Sequence, residues 1–338
     1  MKVFVTGKLS QRASDALGNF AQVDAYESDE PMDRKDVEAR LEGKDALVCI
    51  LGDKVDAALF QLRPQLKLVA NVAVGYDNIN VADATDAGVL ITNTPGVLDN
   101  ATADLAFGLL LAAARRIVEA DSFVRRGQWT GWKRELMLGA ELNGKTLGII
   151  GMGRIGKAVA KRARAFGLNI IYARKNDDKK TDDELKQKFD ATRVALNELC
   201  RRSDFISVNC PLRKETRHLI GREEIAMMQS HCVLVNTSRG AVIDEEALID
   251  ALEQRKIGSC GLDVFEHEPS VPKRLLALDN VVLAPHIGSA TSETRAAMDE
   301  LAVKGLIEAF SGKLPDNAVN PDAWKKFSAN LKNQKINA

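Results

Sequence analysis

Apolar and polar positions alternate along this chain in blocks rather than residue by residue. The runs "KVFVTG", "DALVCI", "LKLVANV" and "GVLITNT", between residues 2 and 94, are apolar nearly throughout and predict buried strands. Charged stretches near 33–42 and 79–87 separate them and predict helices. Strand and helix in turn imply parallel strands joined by helical crossovers. After residue 145 the pattern returns in "TLGIIG", "LNIIYA", "DFISVNC", "CVLVNTS", "GSCGLDVF" and "NVVLAPH". The chain is therefore read as two α/β units, which its 338 residues permit, since single cores rarely grow beyond roughly 250 residues.

Between the units, "DNATADLAFGLLLAAARRIVEADSFVRRGQW" has helical period, with Asp99 or Asn100 to cap it and Gly127 to stop it. Its core "LAFGLLLAAA" is half the ~20 residues a bilayer span needs and is closed by Arg115 and Arg116, so it predicts a buried helix. Being apolar all round, it needs cover on every side, which suits a domain or subunit interface. Residues 290–312 form a further amphipathic helical pattern, and the polar stretch from 313 onward is expected to be loosely ordered.

Composition narrows the function classes. Lys plus Arg and Asp plus Glu both number 47, so no broad field attracts nucleic acid or an anionic membrane. Cys49, Cys200, Cys210, Cys232 and Cys260 are scattered and never in C-x-x-C spacing, which points to neither a disulfide framework nor a metal site. "MKVFVTGKLSQ" lacks the apolar segment of a signal peptide, and the expectation is a cytoplasmic protein.

The most specific chemistry lies in "LGIIGMGRIG". Gly151, Gly153 and Gly156 follow a predicted strand and open a predicted helix, the context a dinucleotide cradle requires. Gly151 permits the tight turn, Gly153 lets a pyrophosphate approach, and Gly156 lets helix and strand pack closely. The helix begins at Arg154 and Ile155, whose amide end favours phosphate. At the end of the next strand an NAD site carries an acid, but "IIYARKN" places Arg174 and Lys175 there. A guanidinium can bind a 2′-phosphate bidentately, so NADP(H) is expected in preference to NAD(H). The alternative is a solvated basic turn, with Asp177 or Asp178 bent back as the missing acid.

Hydride transfer to a carbonyl needs a proton donor, and the chain has four histidines, His218, His231, His267 and His286. His286 ends "NVVLAPH" and should emerge at the carboxyl edge of a sheet, where open α/β folds bind ligands. His267, in "VFEHEPS", ranks second; His218 and His231 are read as structural. Glu268 is read as the carboxylate that fixes the tautomer of the histidine and favours its charged form. Arg239, in "VNTSRGAVIDEEAL", can clamp a substrate carboxylate, unless it is spent on Asp244 or Glu245. Together these groups suggest a 2-keto acid substrate.

With those stretches joined to "NVAVGYDNIN", "NTPGVLDNATADLAFGLLLA", "GLDVFEHEP" and "LAPHIGSAT", the chain closely resembles the D-isomer-specific 2-hydroxyacid dehydrogenase family from residue 1 to about 320. Its "NTP" and "TADLAF" segments look most like those of glyoxylate/hydroxypyruvate reductases. The resemblance implies two doubly wound parallel-sheet domains with a cleft between them that closes on the substrate. A flavodoxin-like substrate domain would comprise residues 1–99 and 288–320, a Rossmann nucleotide domain residues 100–287, and a tail residues 321–338. It implies catalytic roles for Arg239, Glu268 and His286, and substrate-carboxylate amides at Val74 and Gly75. It implies nicotinamide contacts at Thr237 and Asp263, and further cofactor contacts at Thr102, Cys210, Pro211 and Gly288. It also implies a homodimer through the long apolar helix, no metal, and a loop at 129–143 in which Trp132 and Met137 shape either specificity or the interface. Three relatives of the same fold stand as alternatives: a phosphite dehydrogenase, a dinucleotide-sensing corepressor without turnover, and a serine-pathway phosphoglycerate dehydrogenase, whose appended regulatory domain would need more chain.

Overall fold

In a computed structural model, whose described residues are 1–28, 30–175 and 178–336, the chain divides into two units. One comprises Met1–Leu98 with Ala290–Ala338, the other Asp99–Ser289. Asp177 lies outside the described residues.

The first unit is built on β1 (Lys2–Val5), β2 (Gln22–Ala25), β3 (Ala46–Cys49), β4 (Leu68–Asn71) and β5 (Leu90–Thr92). They form one sheet in the order β2-β1-β3-β4-β5, every pair parallel. The order reverses at β1, as in flavodoxin-like sheets. Phe4, Leu47, Val69 and Ile91 are fully buried on one face of it, which accounts for the unbroken apolar runs. Strand β2 carries no such run: "QVDA" is a half-exposed edge strand, and so the hydrophobic pattern does not reveal it.

The end of the chain closes this unit, in contrast to the loose tail expected beyond residue 313. Val319 N donates to Ile91 O at 2.8 Å and Asn93 N to Asn317 O at 3.2 Å, so residues 317–319 run beside β5. The Asn320 side chain accepts from Ile91 N and donates to Val89 O. A helix, Trp324–Ile336, follows, anchored by the fully buried Phe327. The Phe327 ring stacks on Trp324 at 5.3 Å and meets Phe310 edge-on at 5.5 Å.

The second unit contains β6 (Thr146–Ile150), β7 (Asn169–Ala173), β8 (Thr192–Arg193), β9 (Phe205–Val208), β10 (Val233–Asn236), β11 (Ser259–Leu262) and β12 (Val281–Leu283). Their order is β12-β11-β10-β9-β6-β7-β8, again wholly parallel. The register aligns Ile150, Val208, Asn236, Leu262 and Leu283, so β6 and the strands from β9 to β12 end at one level. Whatever follows them emerges along a single edge, at about 4.8 Å per strand.

The stretch expected to be one helix from Asp99 to Gly127 is two, Asp99–Ala114 and Ile117–Arg125. Arg116 takes a left-handed φ of 56° between them. Ala140 N, returning from the following loop, takes the carbonyl of Ala114 at 2.8 Å, and Arg116 is drawn onto Glu119. Helix Asp99–Ala114 lies against helix Arg154–Ala165, β10 and β11, burying Phe107, Leu109 and Leu110. Among the described residues no helix is long and apolar enough to cross a membrane.

Candidate active site

The loop after β6 is shaped for the close approach of another group. Gly151 has a φ of 92°, and a Cβ there would fall 2.7 Å from Cys210 N; one on Gly156 would fall 2.2 Å from Gly151 O. Only glycine fits both places. Gly153 precedes the helix Arg154–Ala165, and open space faces its own Cβ position. The unsatisfied amides of that helix end, beginning at Arg154 and Ile155, therefore face a gap in which an anion is favoured.

The neighbouring strand ends contribute the rest of the edge. Thr237, directly after β10, is buried, and its Oγ1 has no hydrogen-bond partner among the described residues. Thr102 and Asp263 converge on Gly288, whose Cβ position is 3.2 Å from Asp263 Oδ2 and 3.3 Å from Thr102 Cγ2. Ser238 Oγ holds the Cys210 carbonyl, tying the loop that continues to Pro211 to the one after β10. A glycine turn at the start of a helix, next to strand ends that carry polar side chains, has the form of a dinucleotide cradle.

Arg174, at the end of β7, is mostly buried. Its Nη2 lies 2.7 Å from Asp182 Oδ1 and donates to the Asp178 carbonyl at 2.6 Å. Tyr172 Oη donates to the same Asp182 carboxylate at 2.6 Å, which together with the arginines holds that carboxyl below its usual range despite some burial. Asp178 itself accepts from Thr181. Lys175 is exposed, and its Nζ lies 3.8 Å from Glu215 Oε1. Asp182 is a partner the sequence did not suggest, because its helix spacing says nothing about Arg174.

The structure brings His286 and Glu268 together. His286 Nδ1 lies 2.7 Å from Glu268 Oε2, while Glu268 Oε1 accepts from Phe265 N at 3.0 Å. Burial raises the Glu268 pKa, but the His286 hydrogen bond, the Phe265 amide and the nearby charges of His286 and Arg239 outweigh it and leave a net lowering. Asp263 supports the histidine from behind: its carbonyl accepts His286 N, and its carboxylate takes Ile287 N at 2.7 Å and Gly288 N at 2.8 Å. Burial, only partly offset by those amides, raises the Asp263 pKa. His286 sits at a φ of 54°, a left-handed conformation fixed by these contacts.

Arg239 stands three residues beyond β10. Its carbonyl accepts from Asn236 Nδ2 at 2.9 Å and its Nη1 donates to Ser238 O at 2.8 Å. Asp244 instead caps the helix Glu245–Glu253 by accepting from Ala247 N, and Glu245 accepts the amide of Glu266. Two other histidines have separate carboxylates, His218 with Glu266 at 2.8 Å and His231 with Asp204 at 2.7 Å. His267 is exposed, and its carbonyl serves the turn to Ser270.

The first unit holds Val74 and Gly75 in a loop whose carbonyls are all engaged. Thr94 N takes Ala73 O, Asn93 Nδ2 takes Val74 O at 2.9 Å, and Asn71 Nδ2 takes Gly75 O at 2.8 Å. Among the described residues the amides of Val74 and Gly75 form no backbone hydrogen bond. Asn71, which closes β4, and Asn93, directly after β5, are residues that sequence reasoning missed here.

Known proteins are similar to this chain in sequence and fold. The family model for the D-isomer specific 2-hydroxyacid dehydrogenase NAD binding domain matches residues 107–288. A glyoxylate reductase of Thermococcus litoralis is 48% identical over 325 residues, covering 95% of this chain and 97% of its own. The crystal structure of a glyoxylate reductase from Paecilomyes thermophila superposes with a TM-score of 0.85 at 36% identity, over 94% of this chain and 98% of that one. An NADPH-dependent glyoxylate/hydroxypyruvate reductase from Sinorhizobium meliloti, in complex with NADP and malonate, gives 0.83 at 33% identity, over 95% and 97%.

Proposed function

The chain belongs to the D-isomer-specific 2-hydroxyacid dehydrogenases, and from that premise we propose that it reduces small 2-keto acids of the glyoxylate and hydroxypyruvate class to D-2-hydroxy acids, with NADPH preferred. It is an NAD(P)-dependent oxidoreductase. The observation that carries the substrate reading is the His286–Glu268 pair at 2.7 Å with the Arg239 charge acting on the same carboxylate. A proton donor beside a cationic fork is what a carbonyl next to a carboxylate requires.

When bound, the reduced nicotinamide supplies the hydride that adds to the keto carbon. His286 has its Nδ1 committed to Glu268, so its Nε2 is the nitrogen that gives a proton to the keto oxygen. The carbonyl thereby becomes a hydroxyl, the imidazole is left neutral, and Glu268 stays ionised throughout. Solvent then restores the proton. Arg239 orients the keto acid through paired hydrogen bonds to its carboxylate.

For the cofactor, Arg174 and Lys175 support a 2′-phosphate, and the Sinorhizobium meliloti relative is NADPH-dependent and was crystallised with NADP. Asp182 has Tyr172 and Arg193 as further partners, so it can release Arg174 to the phosphate without being stranded. The roles of Thr102, Gly151, Gly153, Arg154, Ile155, Gly156, Cys210, Pro211, Thr237, Asp263 and Gly288 belong to the same reading. Exposed apolar side chains at Ile117, Val118, Val124, Trp129, Trp132 and Leu138 support a homodimer. Initial rates with glyoxylate, hydroxypyruvate and bulkier keto acids, each with NADPH and NADH and with phosphite oxidation alongside, test the proposal. Turnover of the small keto acids with NADPH is expected. Turnover of phosphite alone, or of nothing despite cofactor binding, overturns it.

A further inference from the structure

Three loops at the carboxyl edge of the second sheet are joined behind the reacting groups. Within "ETRHLIG", His218 N donates to Ala241 O at 2.9 Å and Ile220 N to Val242 O at 3.1 Å, so this loop lies along the turn that carries Arg239. That turn meets the loop carrying Glu268 at Gly240, whose Cβ position falls 1.9 Å from Phe265 C and 2.4 Å from Glu266 N. Nothing larger than hydrogen fits there. The two functional side chains thus project from backbones in direct contact.

Glu266 fastens this junction. Only 10% of its side chain is exposed, and both Arg217 Nη2, at 2.6 Å, and His218 Nε2, at 2.8 Å, reach its Oε1. Its amide donates to Glu245 Oε1 at 2.9 Å, and Glu245 is itself buried, with its pKa raised chiefly by that burial. The next amide toward β11, Phe265 N, is the one that holds Glu268 Oε1. Glu266 is therefore gripped at side chain and backbone, next to the amide that holds the group orienting the proton donor. His267, on its other side, is exposed and leaves that grip to Arg217 and His218.

We propose that Glu266, clamped by Arg217 and His218, is a positioning residue that holds the Glu268–His286 pair and the Arg239 turn in one frame. The proposal rests on the reading of those three as the reacting groups. Glu266 does not touch substrate or cofactor; it sets where Glu268 and Arg239 stand, and so its loss should appear in kcat rather than in cofactor binding.

Because both donors converge on one oxygen, glutamine can satisfy them with its amide carbonyl, whereas alanine cannot. Glu266→Ala is expected to lower kcat by about 10- to 100-fold, with cofactor affinity measured by nicotinamide fluorescence within about twofold of wild type, and Glu266→Gln to recover most of the rate. An unchanged kcat in Glu266→Ala, equal damage in Glu266→Gln, or a parallel loss of cofactor affinity overturns the proposal. If Glu266→Ala does not fold, the pair Arg217→Ala with His218→Asn removes the clamp from its exposed side and keeps a residue tolerant of the φ of 51° at 218. A several-fold loss of kcat is then expected, and a wild-type kcat overturns the proposal. His286→Ala belongs in the same series. If it turns over normally, the reaction centre and the positioning role both fall; if it is inactive beside a fully active Glu266→Ala, only the positioning role falls.

Discussion

Replacing Gly240 with alanine puts a methyl group into the place where the Arg239 turn and the Glu268 loop touch. The new Cβ would lie 1.9 Å from the Phe265 carbonyl carbon, 2.1 Å from its oxygen and 2.4 Å from Glu266 N, and all three are backbone atoms that no rotamer change can move. Ordinary contact begins near 3.4 Å, so the two loops must separate by about 1.5 Å. A misplacement of about 1 Å costs on the order of 10²-fold in rate. The expected loss in kcat/KM for a keto acid is thus roughly 10²-fold, or about 2.7 kcal/mol of transition-state stabilisation. Overpacking also costs about 1–3 kcal/mol of stability, which a domain stable by about 5–15 kcal/mol tolerates. Initial rates with NADPH and glyoxylate, beside circular dichroism melting and a cofactor titration, separate the effects. The cradle of Gly151 and Gly156 lies on other loops, whereas Thr237 and Asp263 lie on the displaced ones, so cofactor affinity should fall less than kcat/KM. A folded Gly240→Ala enzyme with wild-type kcat/KM would show that the two loops do not share a frame, and the reasoning would fail.

His286→Ala should lower kcat by about 10²–10⁴-fold, the usual worth of a general acid, while cofactor affinity persists; wild-type turnover places the acid elsewhere. Arg239→Lys removes a planar fork and at least one charged hydrogen bond of about 1.5–3 kcal/mol, so KM for keto acids should rise tenfold or more, and an unchanged KM assigns the carboxylate to other groups. Arg174→Asp should lower kcat/KM with NADPH far more than with NADH; an unaltered NADPH value refutes the 2′-phosphate assignment. The pH dependence follows from the lowered Glu268 pKa: the carboxylate is ionised above its folded-state value, which lies below the ordinary 4.5, and its pairing with His286 is lost only as pH falls through that value. Reduction should therefore lose no rate through protonation of Glu268 as pH falls from about 8 to about 5, and a fall inside that window would mean that another group needed in its deprotonated form titrates there.

Much of the site is legible in short stretches, because backbone constraints leave local marks. Gly151, Gly153 and Gly156 announce a cradle, Gly151 since only glycine fits a turn of φ 92° against Cys210, and His286 announces itself by following an apolar strand three residues after its end. Less could be read where a role depends on a distant partner. Glu266 and His267 look equivalent to Glu268 in "VFEHEP", and only the fold turns Glu268 to His286, Glu266 to Arg217 and His218, and His267 to solvent. Arg174 gave no sign of Asp182, nor Val74 and Gly75 of the asparagines that turn their carbonyls away.

By itself the sequence determined the alternation of parallel strands and helices, the glycine turn and the cationic end of β7, all consequences of which side chains must be buried and which torsions a residue can adopt. The tertiary structure decided which strand ends stand level, which acid meets which base, where the long helix breaks at Arg116, and that the polar end of the chain folds back on β5. The physical reason is that local pattern encodes burial and torsion over a few residues, whereas hydrogen-bond partners far apart in the chain are chosen only once the sheets have brought them within reach.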